Sequence, residues 1–178
     1  DTQDDKDFPT KGFFISAESK ALGVLSSENL SKPVQIKADI RFNFPLSKAF
    51  TYRLNLFGGL SFGDVIPHFY KYRMGGIFEQ NLGNVKPFLG YQFGQIEDNN
   101  VFSASNDIQF KFNKNYYLIG NFSIANVFSS LELEDTVRIN YSSFGIAAGY
   151  KSPFGQIKLN LSKSLDQQKA VFSVILGH

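Results

Sequence analysis

Hydrophobic and polar residues alternate along most of this chain with a period of two. In the clearest run, 34–44, Val34, Ile36, Ala38, Ile40, Phe42 and Phe44 are apolar, while Gln35, Lys37, Asp39, Arg41 and Asn43 are polar or charged. Successive side chains of a strand point to opposite faces, so the run predicts a strand with one apolar and one polar face. At roughly 3.3 Å per residue it reaches about 36 Å, enough for a tilted strand to cross a bilayer. The pattern recurs at 13–22, where Phe13, Ile15, Ala17 and Ala21 oppose Ser16, Glu18 and Lys20. At 49–62, Phe50, Tyr52, Leu54, Leu56 and Leu60 oppose Thr51, Arg53, Asn55 and Ser61. The short turn Pro45-Leu46-Ser47-Lys48 joins the second and third runs into a predicted hairpin with matching faces.

Further strands are predicted at 101–112, 116–128, 139–150, 156–162 and 171–178, with Asn106 standing unexplained on the apolar face. Between 63 and 100 the alternation weakens and Gly, Pro and Asn cluster, which predicts one long inserted loop. The piece 88–96 is left in that loop, because a strand there would upset the up-and-down order. Residues 1–7 read as a solvated lead, 9–12 as a turn, and 23–32, 129–138 and 165–169 as loops. The whole is an all-β, antiparallel chain of about eight strands, one domain over 1–178.

Composition changes this picture in one respect. The net charge is +2, no Cys is present, and the unusual feature is 20 Phe and 8 Tyr in 178 residues. So small a charge without like-charged runs argues against a nucleic-acid partner, and the lack of Cys removes disulfides and zinc fingers. No window of about 18 apolar residues predicts a transmembrane helix, and the acidic 1–10 is not a signal peptide, so an exported form would have lost its signal or carry it on a larger precursor. The aromatics gather at every second, short turn: Phe42 and Phe44 against Phe50 and Tyr52, Phe110 and Phe112 against Tyr116 and Tyr117, and Tyr150 against Phe154. Short turns with aromatics at one end and longer loops at the other are the pattern of a transmembrane β-barrel. On that reading Val34, Ile36, Ile40, Phe42, Leu54, Leu56, Phe110, Ile157, Leu159 and Leu161 face lipid. Lys37, Asp39, Arg41, Arg53, Asp107 and Lys158 face the lumen, with Glu18, Lys20 and Lys111, and Asp39→Asn should be mild.

Asp1-Thr2-x-Asp4 with Phe8-Pro9-Thr10-Lys11-Gly12-Phe13 resembles the motif that opens the second half of the barrel in the BamA/TamA, or bacterial surface antigen, superfamily. The ending is similar to that superfamily too: Ser143-Phe144-Gly145-Ile146-Ala147-Ala148-Gly149-Tyr150, the turn Ser152-Pro153-Phe154-Gly155, a strand, a short loop and a terminal strand. Between them, the segment from Phe69 through Arg73, Gly75 and Gly76 to Phe88-Leu89-Gly90-Tyr91 stands where the superfamily carries its lumen-entering loop. Its loop tip normally reads Val-Arg-Gly-Phe; here Leu89 replaces the anchoring arginine, which weighs against an insertase role. Arg73 is the candidate replacement anchor. Gly75-Gly76 followed by Pro87-Phe88-Leu89-Gly90-Tyr91 is closer to barrels fused behind patatin-like phospholipases in Bacteroidetes-type bacteria. Barrels of the superfamily close on a terminal aromatic, and since the last residues here are Gly177-His178, a few further residues are expected to follow them.

The resemblance implies half of a barrel of about sixteen strands, because an open sheet would leave unpaired edges in lipid. It places the chain in the outer membrane of Gram-negative bacteria. The implied function is to anchor, and help export, a patatin-like lipid hydrolase whose catalytic residues lie outside these residues. Alternatives are a BamA-class insertase or translocase, and a self-closed eight-stranded barrel acting as adhesin or scaffold. The expected partners are outer-membrane lipid and either the other half of the barrel or an N-terminal passenger domain, with a homo-oligomer left open. Gly59-Leu60-Ser61-Phe62-Gly63 matches G-x-S-x-G, but it ends a strand and Asp64-Val65-Ile66-Pro67 cannot open the helix a nucleophile elbow requires. His68 reads as a loop histidine and His178 as a strand end. No catalytic residue, cofactor or metal is expected within these residues.

Overall fold

The computed structural model describes residues 1–25, 30–63, 66–78, 83–129, 131 and 138–177. Strand β1 (Gly12–Ala21) leads through the two-residue strands β2 (Val24–Leu25) and β3 (Leu30–Ser31) to β4 (Val34–Pro45) and β5 (Phe50–Phe62). Among its described residues the long connection holds a 3-10 turn (His68–Tyr70) and the short strands β6 (Tyr72–Met74), β7 (Val85–Lys86) and β8 (Ile96–Asp98). Strands β9 (Asn100–Lys111), β10 (Tyr116–Phe128), β11 (Tyr141–Ser152), β12 (Gly155–Ser164) and β13 (Ala170–Leu176) complete the chain. The main sheet has eight strands in the order β1-β4-β5-β9-β10-β11-β12-β13, so the long strands lie side by side in chain order and β1 and β13 are the edges. Every neighbouring pair is antiparallel.

Register keeps the faces pure. Ile36 pairs with Leu60, Ile40 with Leu56 and Phe42 with Leu54, while Gln35 meets Ser61 and Arg41 meets Asn55 on the other face. A slip of one residue would exchange the faces, so the hydrophobic pattern fixes the pairing. Asn106 finds its partner here: on the apolar face its Oδ1 accepts a 2.6 Å hydrogen bond from the Tyr52 hydroxyl of the adjacent strand. The aromatics at the short-turn end form a row along that face. Ring centroids are 6.5 Å apart for Phe13–Phe42, 5.9 Å for Phe42–Phe44, 6.3 Å for Phe44–Tyr52, 4.7 Å for Phe50–Phe110, 5.8 Å for Phe112–Tyr116 and 4.9 Å for Tyr116–Tyr150.

Burial inverts the rule for a soluble protein. On the apolar face Leu159, Leu161 and Phe172 are 47%, 48% and 65% exposed, whereas Gln35 and Asp39 on the polar face are 3% and 4% exposed. The polar face is covered by two parts of the chain itself. The first is the 63–100 connection, read from the sequence as one long loop. Within it β6 pairs with β7 in parallel and with β8 in antiparallel, and Phe88 bridges Gly76. The piece near Ile96 is a strand, but of this small sheet, so the up-and-down order of the main sheet survives. The second cover is the N-terminal strap, 1–11. Asp1, Thr2, Asp4 and Lys6 are exposed, as a solvated lead requires, but the segment turns inward at its end, where Asp7 is 7% and Phe8 0% exposed. Strand β11 begins at Tyr141 and not at 139; Asn140 before it still follows β10, its N–H on the Ala125 carbonyl at 3.0 Å and its side chain on Asn126 Oδ1 and the Val127 carbonyl. Parts of the expected loops 23–32, 63–100 and 129–138, and His178, lie outside the described residues.

Candidate functional site

The hydrophobic core lies on the polar face, between the sheet and its covers. Phe57, Val101, Ala125 and Val127 point inward from β5, β9 and β10, and Tyr72, Met74, Phe88, Tyr91 and Ile96 descend on them from the long loop. Two strand glycines make room for aromatic rings. A Cβ at Gly59 would meet the Tyr72 ring at 2.7 Å, and one at Gly149 would meet the Phe8 ring at 2.5 Å. A bare backbone inside a strand marks such a close approach. Tyr72 donates to the Ile36 carbonyl at 3.1 Å, and burial, with Glu18 near, pushes its hydroxyl up to about 12. Phe8 stacks on Tyr117 with centroids 4.1 Å apart, while the Lys158 ammonium lies 5.0 Å over the Phe8 ring.

Charges then fix the loop to the wall. Lys86 Nζ donates to Asp39 Oδ2 at 2.9 Å, and Arg41 grips the same carboxylate through Nε at 3.2 Å and a terminal nitrogen at 3.0 Å. Lys86 also stands 4.9 Å over the Phe57 ring; burial holds its ammonium below the usual lysine range, and Asp39 offsets part of that. Elsewhere on the wall Arg53 donates to Asp107 at 2.6 Å, and Glu18 joins Lys20 and Lys37 at 2.8 and 2.9 Å. Nearer the rim, Asn84 and Gln35 both donate to the Tyr70 carbonyl, at 2.5 and 2.8 Å.

The tip Phe88-Leu89-Gly90-Tyr91 reaches the last hairpin. Gly90 donates its N–H to Ser162 Oγ at 3.0 Å with φ at 80°, and a Cβ there would come within 2.6 Å of the Ser164 nitrogen. Tyr91 donates to the Asp166 carboxylate beyond β12. Burial, then that hydrogen bond, push the Tyr91 hydroxyl up. Asp166 sits below the usual carboxylate range, because hydrogen bonds from Tyr91 and Ser164 outweigh the burial that would raise it. Leu89 lies over Gly145 of β11, 3.4 Å from where a Cβ would stand.

The strap is tied by its own aspartates. Asp4 accepts from the Thr10 hydroxyl at 2.5 Å, the Thr10 N–H at 2.8 Å and the Lys11 N–H at 3.1 Å. Asp5 accepts from the Asp7 and Phe8 N–H groups at 2.9 and 3.1 Å and pairs with Lys151. Burial alone would raise both carboxyls; these hydrogen bonds hold both below the usual carboxylate range. Strap and loop border an open cavity of about 220 Å³ lined by polar and apolar side chains alike, among them Lys6, Asp7, Arg53, Phe78, Lys86 and Asn160.

The residues singled out in the sequence fall into three places. Gly75, Gly76 and the Phe88–Tyr91 tip belong to the seated loop. Lys37, Asp39, Arg41, Arg53, Asp107 and Lys158 lie on the covered face, and Val34 through Leu161 of the apolar set lie on the uncovered one. Arg73 does not reach the wall; it donates to Glu97 at 2.7 Å and to His68 Nδ1 at 3.0 Å, within its own loop. His68 Nε2 lies 3.0 Å from Glu97. Ser61 accepts from Gln35 at 2.9 Å and donates to the Asn99 carbonyl at 2.7 Å. Among the described residues no three His, Cys, Asp or Glu side chains are grouped to hold a metal. Sequence reasoning passed over Lys86 and Asp166, and it gave no packing role to Tyr72 or to Phe8, which it used only as part of a motif. The signal for the two rings was present in Gly59 and Gly149, which interrupt inward positions of otherwise regular strands.

A family model described as the OMP85 superfamily matches residues 1–178. No curated protein matches the chain.

Proposed function

The chain belongs to the OMP85 superfamily and forms an outer-membrane β-barrel segment, and from that premise we propose that it is the second half of a barrel serving as membrane anchor for a lipid acyl hydrolase. The observation that carries the half-barrel reading is the pair of sheet edges. Strands β1 and β13 each have one neighbour in the sheet. In lipid every unpaired backbone group costs several kcal/mol, so strands from elsewhere must pair with both edges. The uncovered apolar face, with its aromatic row at the short-turn end, meets the hydrocarbon. The covered polar face lines the lumen.

Anchoring fits better than conduction or insertion because the lumen side is occupied by seated parts. Loop and strap are held by buried aromatics and ion pairs, and the tip carries Leu89 where insertases of the superfamily carry arginine. The hydrolase part of the proposal rests on the resemblance of Gly75-Gly76 and Pro87-Phe88-Leu89-Gly90-Tyr91 to barrels that follow patatin-like domains. Catalysis is assigned outside these residues, since Ser61 is bonded to Gln35 and Asn99 while His68 is engaged by Arg73 and Glu97. The test is to capture the native polypeptide from an outer-membrane extract and assay it on phospholipid. A species several times larger than 20.0 kDa that releases fatty acid is expected. A large species without acyl hydrolysis would remove the hydrolase, and a species near 20.0 kDa would remove the half-barrel reading as well.

A further inference from the structure

The uncovered face is not uniformly bulky. Ala17, Ala38 and Gly58 are register partners across β1, β4 and β5, so three small residues stand in one row. The next row toward the short turns reads Ile15, Ile40, Leu56, Ala104 and Ile124, with a gap at Ala104. The two deficits join into a groove of about 410 Å³, walled by Ile40, Leu56, Phe102, Ile124 and Ile139. The Phe102 ring leans over Gly58, where a Cβ would stand 3.2 Å from it, and rests 5.4 Å from Phe128. At the long-loop end the lining changes character. Asn126, which faces outward but is only 5% exposed, accepts a 2.8 Å hydrogen bond from Asn140 there.

We infer that this groove is a seat for one acyl chain of a membrane lipid, lying along Ala38, Gly58 and Ala104 with its polar end toward Asn126. This rests on the uncovered face meeting lipid, as proposed above. An apolar depression in that face is continuous with the bilayer hydrocarbon, and a void would forfeit its dispersion contacts. Within lipid the hydrophobic effect offers no preference between surfaces, so selection comes from packing, and a groove with a fixed rim packs a chain on more sides than the bulkier surface at Leu159 and Leu161. The switch from an apolar floor to Asn126 and Asn140 supplies the change in polarity that a chain has where it joins its ester.

The protein is reconstituted in phosphatidylglycerol vesicles containing a lipid with a diazirine in its acyl chain, irradiated, digested and mapped. Labelling is expected to be several-fold richer at 38–40, 56–58 and 102–104 than at 157–161 and 172–176. Ala104→Leu or Ala38→Leu, each filling the groove, should bring it down to the level of the other outward positions. Even labelling over the uncovered face of the unaltered protein would overturn the seat while leaving the membrane face intact. Cross-links from these residues to another polypeptide would overturn it too, making the groove a protein interface instead. Labelling concentrated at Lys158 and Asn160 would overturn the face assignment itself.

Discussion

Asp39 is the residue on which the loop's attachment converges, because it compensates Arg41 and Lys86 together. The alternation alone made Asp39→Asn look mild, since a lumen position tolerates polar exchange. With two cations on one buried carboxylate the expectation changes. Breaking a buried pair strands the remaining charges, so Asp39→Asn should cost about 3 kcal/mol in a denaturant titration in lipid vesicles. Lys86→Met leaves Asp39 with Arg41 and should cost about 1.5–2 kcal/mol, the lower end of the range for one charged hydrogen bond. Equal costs would contradict this arrangement. At the tip, Gly90→Ala would place a methyl against the β12 backbone in a left-handed conformation, so it should lift the tip and expose 88–91 to limited proteolysis. Lys86 escaped notice in the sequence because an isolated lysine in a Gly- and Asn-rich stretch looks the same whether it meets water or a carboxylate across the lumen.

The long strands were legible because each must keep one face apolar over its whole length, and a helix cannot produce a period of two over ten or more residues. Their ends were less so, as at β11, which begins at Tyr141 although Asn140 already donates its N–H to the Ala125 carbonyl of β10. The small sheet in the long connection was illegible for a physical reason: β6 has three residues, β7 has two and β8 has three, too few for a period. In the strap, acidic composition matched the exposed Asp1, Asp4 and Lys6 but hid the inward turn at Asp7 and Phe8, which depends on Asp4 and Asp5 satisfying the strap's own backbone. Two predictions belong at this scale. Ile36→Arg or Leu159→Arg should cost about 2–4 kcal/mol in a bilayer, against less than about 1 kcal/mol for Asn55→Ser on the covered face; similar losses in refolding titrations would contradict the faces. For the strap, Asp4 and Asp5 sit lower folded than unfolded, so their stabilisation is complete above about pH 3.9 and fades as pH falls through the folded values. An acid-active protease should begin to cut near Phe8 only below about pH 4, and cutting at pH 6 would contradict the tie.

At the scale of the whole molecule the sheet solves an inverted packing problem. Its polar face is largely covered by the same chain, with Ser16 and Lys20 of β1 left exposed, and its apolar face is left for lipid. The superfamily could be read in the sequence from the order of the motifs, from Phe8-Pro9-Thr10-Lys11-Gly12 to the final hairpin. The way the loop is seated could not, because it depends on contacts between residues far apart in the chain, Lys86 with Asp39 and Tyr91 with Asp166. The most direct test uses the lack of cysteine among residues 1–178. Single cysteines are placed at each position from 34 to 44, spin-labelled in the membrane-embedded protein, and measured for collision with oxygen and with a water-soluble paramagnetic chelate. Oxygen collisions should peak at the even positions 34, 36, 38, 40, 42 and 44, and the odd positions should be shielded from oxygen. The opposite phase, or chelate access at Ile36 and Ile40, would contradict the placement of the apolar face in lipid.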